Sequence, residues 1–473
     1  MIRNAFKASF LFGMSEIIQK GAIFLLIPFL TKSLSPAEYG LISSVLILVA
    51  STTVFFSFSF HGVITRYYHT YKGTMKRAFI STAFSSLLML NTLLFFLLFL
   101  LRFTLNETYF SGKLSDEFLL IVVFLMVTQP FFVFGNAYFK IGIKLNLFIL
   151  YFNFYYIAQF VGIIVFVINF KFAVNAYLYT LLFSNFLYFI SFCIYFYYKN
   201  GFYFEVRYLK RMFKYVVLVL PVDLLSVASV FLDRYFIVIF LGFSAVGIYY
   251  VSYQLSIITQ IIALAINSAV MPYFYKAIKG RLNEFYNVLY EVYIPFVGGV
   301  CFILILSSGF IVEYALSEEY RDVSKILPIL FLSTFLIPMY LLLTNLLTIN
   351  TRLQSKKLQA AIILLIFNLG STYLLVSNYG LLGAALSSLI VNMLSVLLFF
   401  GIIRRYRVVR LNAFVFFEVF IILSGLTVLV LLDIQRSYLI VYILLSVFYC
   451  SFFTFKGMRN KIKKMESEFA SFK

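Results

Sequence analysis

Fourteen stretches of this chain are each long and apolar enough to cross a bilayer, and this constrains its folding more than any other feature. They run over 8–31, 39–60, 78–101, 118–139, 148–170, 174–197 and 215–240, then 246–271, 292–311, 326–350, 358–377, 381–403, 413–432 and 438–455. About 20 mostly apolar residues cross the hydrocarbon as a helix. In lipid, only helices and closed barrels satisfy every backbone N–H and C=O. The runs are continuously apolar rather than alternating, so each predicts a helix. The expected fold class is therefore all-α: a polytopic membrane protein with fourteen transmembrane helices. Composition agrees, since 63% of residues are hydrophobic and 12% charged, against about half and a quarter in soluble domains.

The distribution of Lys and Arg tests the count. With the N-terminus inside, the segments predicted to be cytoplasmic hold 29 of the 38 basic residues and the outer segments hold 7. Lys20 and Arg234 fall within spans. This asymmetry follows the positive-inside rule and places both termini in the cytoplasm. Missing one helix would reverse every later segment and erase it. The net charge of +20 is thus a topology signal and an attraction to anionic lipid rather than a nucleic-acid surface. The basic start MIRNAFK lacks a small-residue cleavage site after its apolar run, so a retained first helix is expected.

Several function classes lose support. No GxxxxGK[ST] motif is present, so ATP hydrolysis would need another chain. Cys193, Cys301 and Cys450 lie in separate apolar runs, and His61 and His69 have no Cys or His partners at ligand spacing. Neither a metal site nor a disulfide is expected, and no cofactor motif is read.

The chain also repeats itself. A shift of 207 residues carries Arg3 onto Lys210, Phe6 onto Phe213, Lys7 onto Lys214, Glu16 onto Asp223, Leu34 onto Leu241, Gly40 onto Gly247 and Lys72-Gly73 onto Lys279-Gly280. One further residue of shift carries Pro130 onto Pro338, Lys144 onto Arg352, Ala176 onto Ala384 and Lys199 onto Arg407. Six spans make one copy. An even number leaves both copies in the same orientation, with a pseudo-two-fold axis along the membrane normal, as in parallel-repeat transporters. The expected division is an N-lobe over 1–203, a C-lobe over 204–410, and two extra helices with a basic cytoplasmic tail over 411–473.

Charge inside spans marks the candidate site. Ser9, Gly13, Glu16 and Lys20 form one polar stripe on the first helix, and Glu16 precedes Lys20 in the favourable order for an i,i+4 ion pair. The acid recurs as Asp223, with Arg234 about three turns further along the same face. Two readings stand for the first pair: a buried ion pair that satisfies itself, or the lining of a hydrated cavity. Arg234 either lines that cavity or snorkels to the outer interface. Arg66, in GVITRYYH, is either ordinary inner-segment charge or the cavity mouth. Pro28, Pro130, Pro221 and Pro338 are placed to kink their helices.

Three stretches carry a resemblance: LSPAEYG after the first span, GVITRYYH after the second, and LKRMFKYVVLVLP…FLDRYFIVIFLGFSAVGIYY across the seventh and eighth. With them the whole chain resembles the polysaccharide repeat-unit flippases of the multidrug/oligosaccharidyl-lipid/polysaccharide exporter superfamily. That resemblance implies a two-lobed MATE-like fold with alternating access. It implies an undecaprenyl-diphosphate-linked oligosaccharide, the unit of O-antigen or a related surface glycan, as cargo in a bacterial inner membrane. Membrane lipid, a polysaccharide polymerase and chain-length machinery would be partners, and the arginine of its LDRY falls on Arg234. The cavity residues expected from residues and resemblance together are Glu16, Lys20, Arg66, Asp223 and Arg234. Glu16 and Asp223 are candidates to carry a coupling proton or sodium ion. A lipid II flippase, a multidrug/cation antiporter of the same fold and a polytopic polymerase or glycosyltransferase stay open as alternatives. Cavity bases argue against the antiporter, and short outer loops against the enzyme.

Overall fold

The computed structural model describes residues 2–142, 144–169, 173–262, 282–349, 353–406, 408–409 and 414–432. All regular secondary structure among them is helical, as the apolar runs require. The fourteenth expected span, 438–455, and the basic tail lie outside the described residues. Nine described helices are long and apolar enough to cross a membrane, or ten if one bent pair counts as a single span.

The first helices are α1 (Ile2–Ser33), α2 (Pro36–Phe56), α3 (Phe60–Tyr67), α4 (Gly73–Tyr109) and α5 (Asp116–Ile141). They continue with α6 (Leu145–Gly162), a π-helical turn (Ile163–Asn169), α7 (Ala173–Asn200) and α8 (Val206–Ser256). The remainder are α9 (Leu282–Leu306), α10 (Ser308–Ala315), α11 (Val323–Ile349), α12 (Gln354–Arg405) and α13 (Phe414–Leu431). Two of these helices each hold two expected spans. Helix α8 breaks at Gly242 (φ 81), between the expected spans 215–240 and 246–271. Helix α12 breaks at Gly380 (φ 59), between 358–377 and 381–403. Only glycine takes such a conformation without steric cost. The ninth span is bent by 51° between α9 and α10.

The chain divides into two compact units, Met14–Gly247 and Met1–Gly13 with Ile248–Lys473. In the first, α5 is the central helix, packed against α2, α3, α4 and α7. Its core is aromatic: Phe84 of α4 meets Phe131 and Phe134 of α5 and Phe192 and Phe196 of α7, with ring centroids 4.1–5.6 Å apart. In the second, α11 is central, packed against α9, α10, α12 and α13. Here short polar side chains join helices. Thr259 donates to Thr334 at 2.7 Å, and Asn392 donates to the Ser333 hydroxyl at 2.9 Å.

One crossing in the first unit obeys the shift of 207. A Cβ on Gly40 would collide with the carbonyl of Phe243, and a Cβ on Gly247 would collide with the carbonyl of Pro36. These are reciprocal contacts, since 40 maps to 247 and 36 to 243. Close backbone approach at small residues is how helices associate where hydrophobic burial cannot drive them. The turns leading into the two helices differ. The first uses a capping box, with Ser35 Oγ accepting from the Glu38 amide and Glu38 Oε2 accepting from the Ser35 amide at 2.9 Å. Gly242, the counterpart of Ser35, turns by its positive φ instead.

Candidate functional site

The second span stops short at Phe56, and the chain then does something costly. Phe58 (φ 45) and Ser59 (φ 50) both take the left-handed conformation, at about 1–2 kcal/mol for each L-residue. The helix restarts as α3 on a new line. Ser59 is 1% exposed at its start, and its hydroxyl donates to Asp223 Oδ2 of α8 at 2.7 Å. That is the length of a charge-assisted O–H···O⁻ bond. Backbone strain of this kind persists only where surrounding structure holds it, and it concentrates at functional sites. Beside the pair, His61 lies close enough to Asp223 to sense its charge. The buried His61 Nδ1 has no hydrogen-bond partner among the described residues.

Two turns further along α3, Arg66 is exposed and holds its guanidinium over two tyrosines, 5.4 Å from the Tyr215 ring centroid and 5.8 Å from that of Tyr67. Tyr215 lies eight residues before Asp223, on the same face of α8. Gly62 makes the approach of the two helices possible, since a Cβ there would already lie 3.3 Å from the Tyr215 hydroxyl. The α3–α8 junction is therefore a short ladder. A carboxylate held by a serine and flanked by a histidine stands at one end, and a guanidinium on a tyrosine face stands at the other. Seven helical residues separate Ser59 from Arg66, about 10 Å. The acidic end presents a carboxylate held by a hydroxyl donor. The basic end can pair with a phosphate, for which the planar guanidinium fork is well shaped.

Of the expected site residues, Arg66 and Asp223 meet at this junction. Arg234 does not: eleven residues of α8 place it about 16 Å from Asp223. It is 3% exposed, next to Tyr109, whose ring stacks on Phe231 and Tyr235. Such burial is not that of a side chain snorkelling to the interface. Helix α1 runs continuously through positions 16 and 20, but the side chains of Glu16 and Lys20 lie outside the described residues. Sequence reasoning missed Ser59, His61 and Tyr215 as members of the site. The eight-residue spacing from Tyr215 to Asp223 was a usable signal. Nothing local announced Ser59.

Three comparisons bear on this geometry. A family model described as "Polysaccharide biosynthesis protein" matches residues 29–325. Among solved structures, one described as "Lipid II flippase MurJ, inward closed conformation" is similar with a TM-score of 0.73 at 15% identity, over 95% of this chain and 99% of that one. An outward-facing multidrug resistance MATE family transporter of the MOP superfamily is similar with a TM-score of 0.54 at 16% identity, over 85% and 96%. No curated protein matches the sequence. At these identities the structural likeness concerns the fold, which is that of flippases and MATE transporters.

Proposed function

Because the chain belongs to the polysaccharide biosynthesis protein family, we propose that it flips an undecaprenyl-diphosphate-linked oligosaccharide across a bacterial inner membrane by alternating access. The cargo is the repeat unit of O-antigen or a related surface glycan, and the step makes and breaks no covalent bond. The observation that carries this reading is the union, in one chain, of that family with a flippase fold. The charges support it. A diphosphate cannot cross hydrocarbon bare, and fixed cations in a hydrated path remove much of that penalty. Arg66, Arg234 and Lys20 supply such cations, while Asp223 and Glu16 would carry the coupling proton or sodium ion. The isoprenoid tail stays in lipid throughout.

The test is depletion of the protein followed by extraction of lipid-linked glycans. The expected result is a complete repeat unit on its lipid carrier, accumulating on the cytoplasmic leaflet while surface glycan disappears. Accumulation on the outer leaflet would instead assign the block to a later step. The likeness to the lipid II flippase favours one second reading, cell-wall precursor export. Rescue of a strain lacking its own lipid II flippase would establish that reading in place of the first. A double change, Glu16→Gln with Lys20→Ala, separates roles on α1. Restored protein level without restored export assigns Lys20 to the cargo. Recovery of both returns the pair to a structural role.

A further inference from the structure

Tyr67 and Tyr68 are consecutive and point to different places. Tyr67 faces Arg66 and Tyr215. Tyr68 meets Tyr138 of α5, ring centroids 6.4 Å apart, and that pair collects cations. Lys76 Nζ sits 3.4 Å from the Tyr68 ring centroid. Lys144 Nζ donates to the Tyr138 hydroxyl at 2.8 Å and lies 4.2 Å from its ring centroid, and it donates to the Tyr195 hydroxyl at 3.4 Å. Lys76 and Lys144 are close enough to repel each other. Arg77 and Lys199 stand within electrostatic reach of the same group. Neither Lys76 nor Lys144 has a carboxylate partner among the described residues. Burial pushes the Lys144 ammonium below the usual lysine range, with Tyr195 opposing.

Backbone geometry adds to the positive potential. Lys72 is the N-cap of α4 and Lys144 the N-cap of α6, and neither makes a side-chain cap bond. Helix N-termini prefer Ser, Asp or Asn, which accept from the free amides. A lysine donates only, and its charge opposes the helix dipole. Two such ends and a pair of lysines on neutral tyrosines concentrate positive charge with the chemistry to receive an anion. Its residues come from three segments that the charge asymmetry assigns to the cytoplasmic side, at the level of lipid headgroups.

We infer that Lys76 and Lys144 bind the phosphate of an anionic phospholipid in the inner leaflet, with Tyr68, Tyr138 and Tyr195 holding the two ammonium groups in place. The site is separate from the α3–α8 junction and does not depend on the cargo. The test uses the full chain purified in detergent, with phosphatidylglycerol retention measured by native mass spectrometry and no transport required. The wild-type protein should retain phosphatidylglycerol in preference to phosphatidylcholine. The double variant Lys76→Gln with Lys144→Gln should bind it about tenfold to thirtyfold more weakly. The variant Lys76→Arg with Lys144→Arg, which keeps the charge, should retain it and so guards against a loss caused by misfolding. Unchanged retention in the glutamine variant, or equal retention of phosphatidylcholine, would overturn the assignment. Displacement of the lipid by millimolar inorganic phosphate would also overturn it, and would mark a site for a free anion.

Discussion

The two compact units pack their helices with different chemistry. In Met14–Gly247, rings stack on rings through the core, and cations lie over them: Arg66 on Tyr215, Lys76 on Tyr68, Arg102 on Phe99 and Phe103, and Lys113 on Phe243. In Ile248–Lys473, helical segments are joined by hydroxyls and amides at Thr259, Thr334, Ser371, Ser387 and Asn392. The difference follows from what each arrangement can hold. A tyrosine face stabilises an ammonium or guanidinium without neutralising it, so Arg66 and Lys76 in the first unit keep their positive charge available. A hydroxyl pair joins two helices and leaves no charge to use. The unit rich in cation–tyrosine contacts also holds the strained α3–α8 junction.

The largest expected effect breaks the first unit at its glycine crossing. Gly40→Leu drives a side chain into the Phe243 carbonyl, a backbone atom that cannot swing aside, and overpacking of this kind costs at least about 1–3 kcal/mol. Little folded protein should survive a detergent melting assay. Gly370→Ala, where nothing lies within 4 Å of the new methyl, should melt with the wild type. Equal behaviour of the two variants would mean that the crossing tolerates separation.

Next comes the carboxylate. Asp223→Asn keeps the shape and the Ser59 bond but removes the charge, and export of surface glycan should fall more than about tenfold, a change of roughly 1.4 kcal/mol or more, at matched protein level. Ser59→Ala removes a hydrogen bond to a charged group, worth about 1.5–3 kcal/mol. It should lower thermal stability and leave part of the export. If Asp223→Asn exports normally, the junction is structural and the first unit loses its proposed role.

Arg66 sharpens the same comparison at smaller scale. Arg66→Lys keeps a cation near Tyr215, whereas Arg66→Gln does not, so export should rank wild type, lysine, glutamine. The contact of this exposed guanidinium with a half-buried ring contributes about 0.5–1 kcal/mol, so melting should hardly move. The smallest effect belongs to the second unit. Thr334→Val removes the bonds to Thr259 and to the Ser256 carbonyl. Interhelical bonds in membranes average about 0.6 kcal/mol, so a slight loss of melting temperature with export intact is expected. A large export defect there would show that the second unit also carries function through its polar pairs.

Much of this protein was written in local pattern. Continuous apolar runs demand helices because lipid offers no partner for a bare amide, and the Lys and Arg bias reports the expected side for each segment. The shift aligns Gly40 with Gly247 as repeat counterparts, and the structure then brings these two positions into one close crossing, where a backbone-to-backbone approach admits no side chain. Asp223 and Arg66 stood out as charges among apolar residues. Other features arose only when distant segments met. Periodicity describes a helix that continues, so it is silent where Phe58 and Ser59 turn left-handed and end one early. It marks Arg234 as intramembrane charge but not as buried beside Tyr109, some 125 residues earlier in the chain. It cannot tell that adjacent Tyr67 and Tyr68 serve different neighbours, or that lysines from separate segments gather around Tyr138. Those outcomes depend on which helix faces which, and that is decided by packing over sequence distances that no local pattern spans.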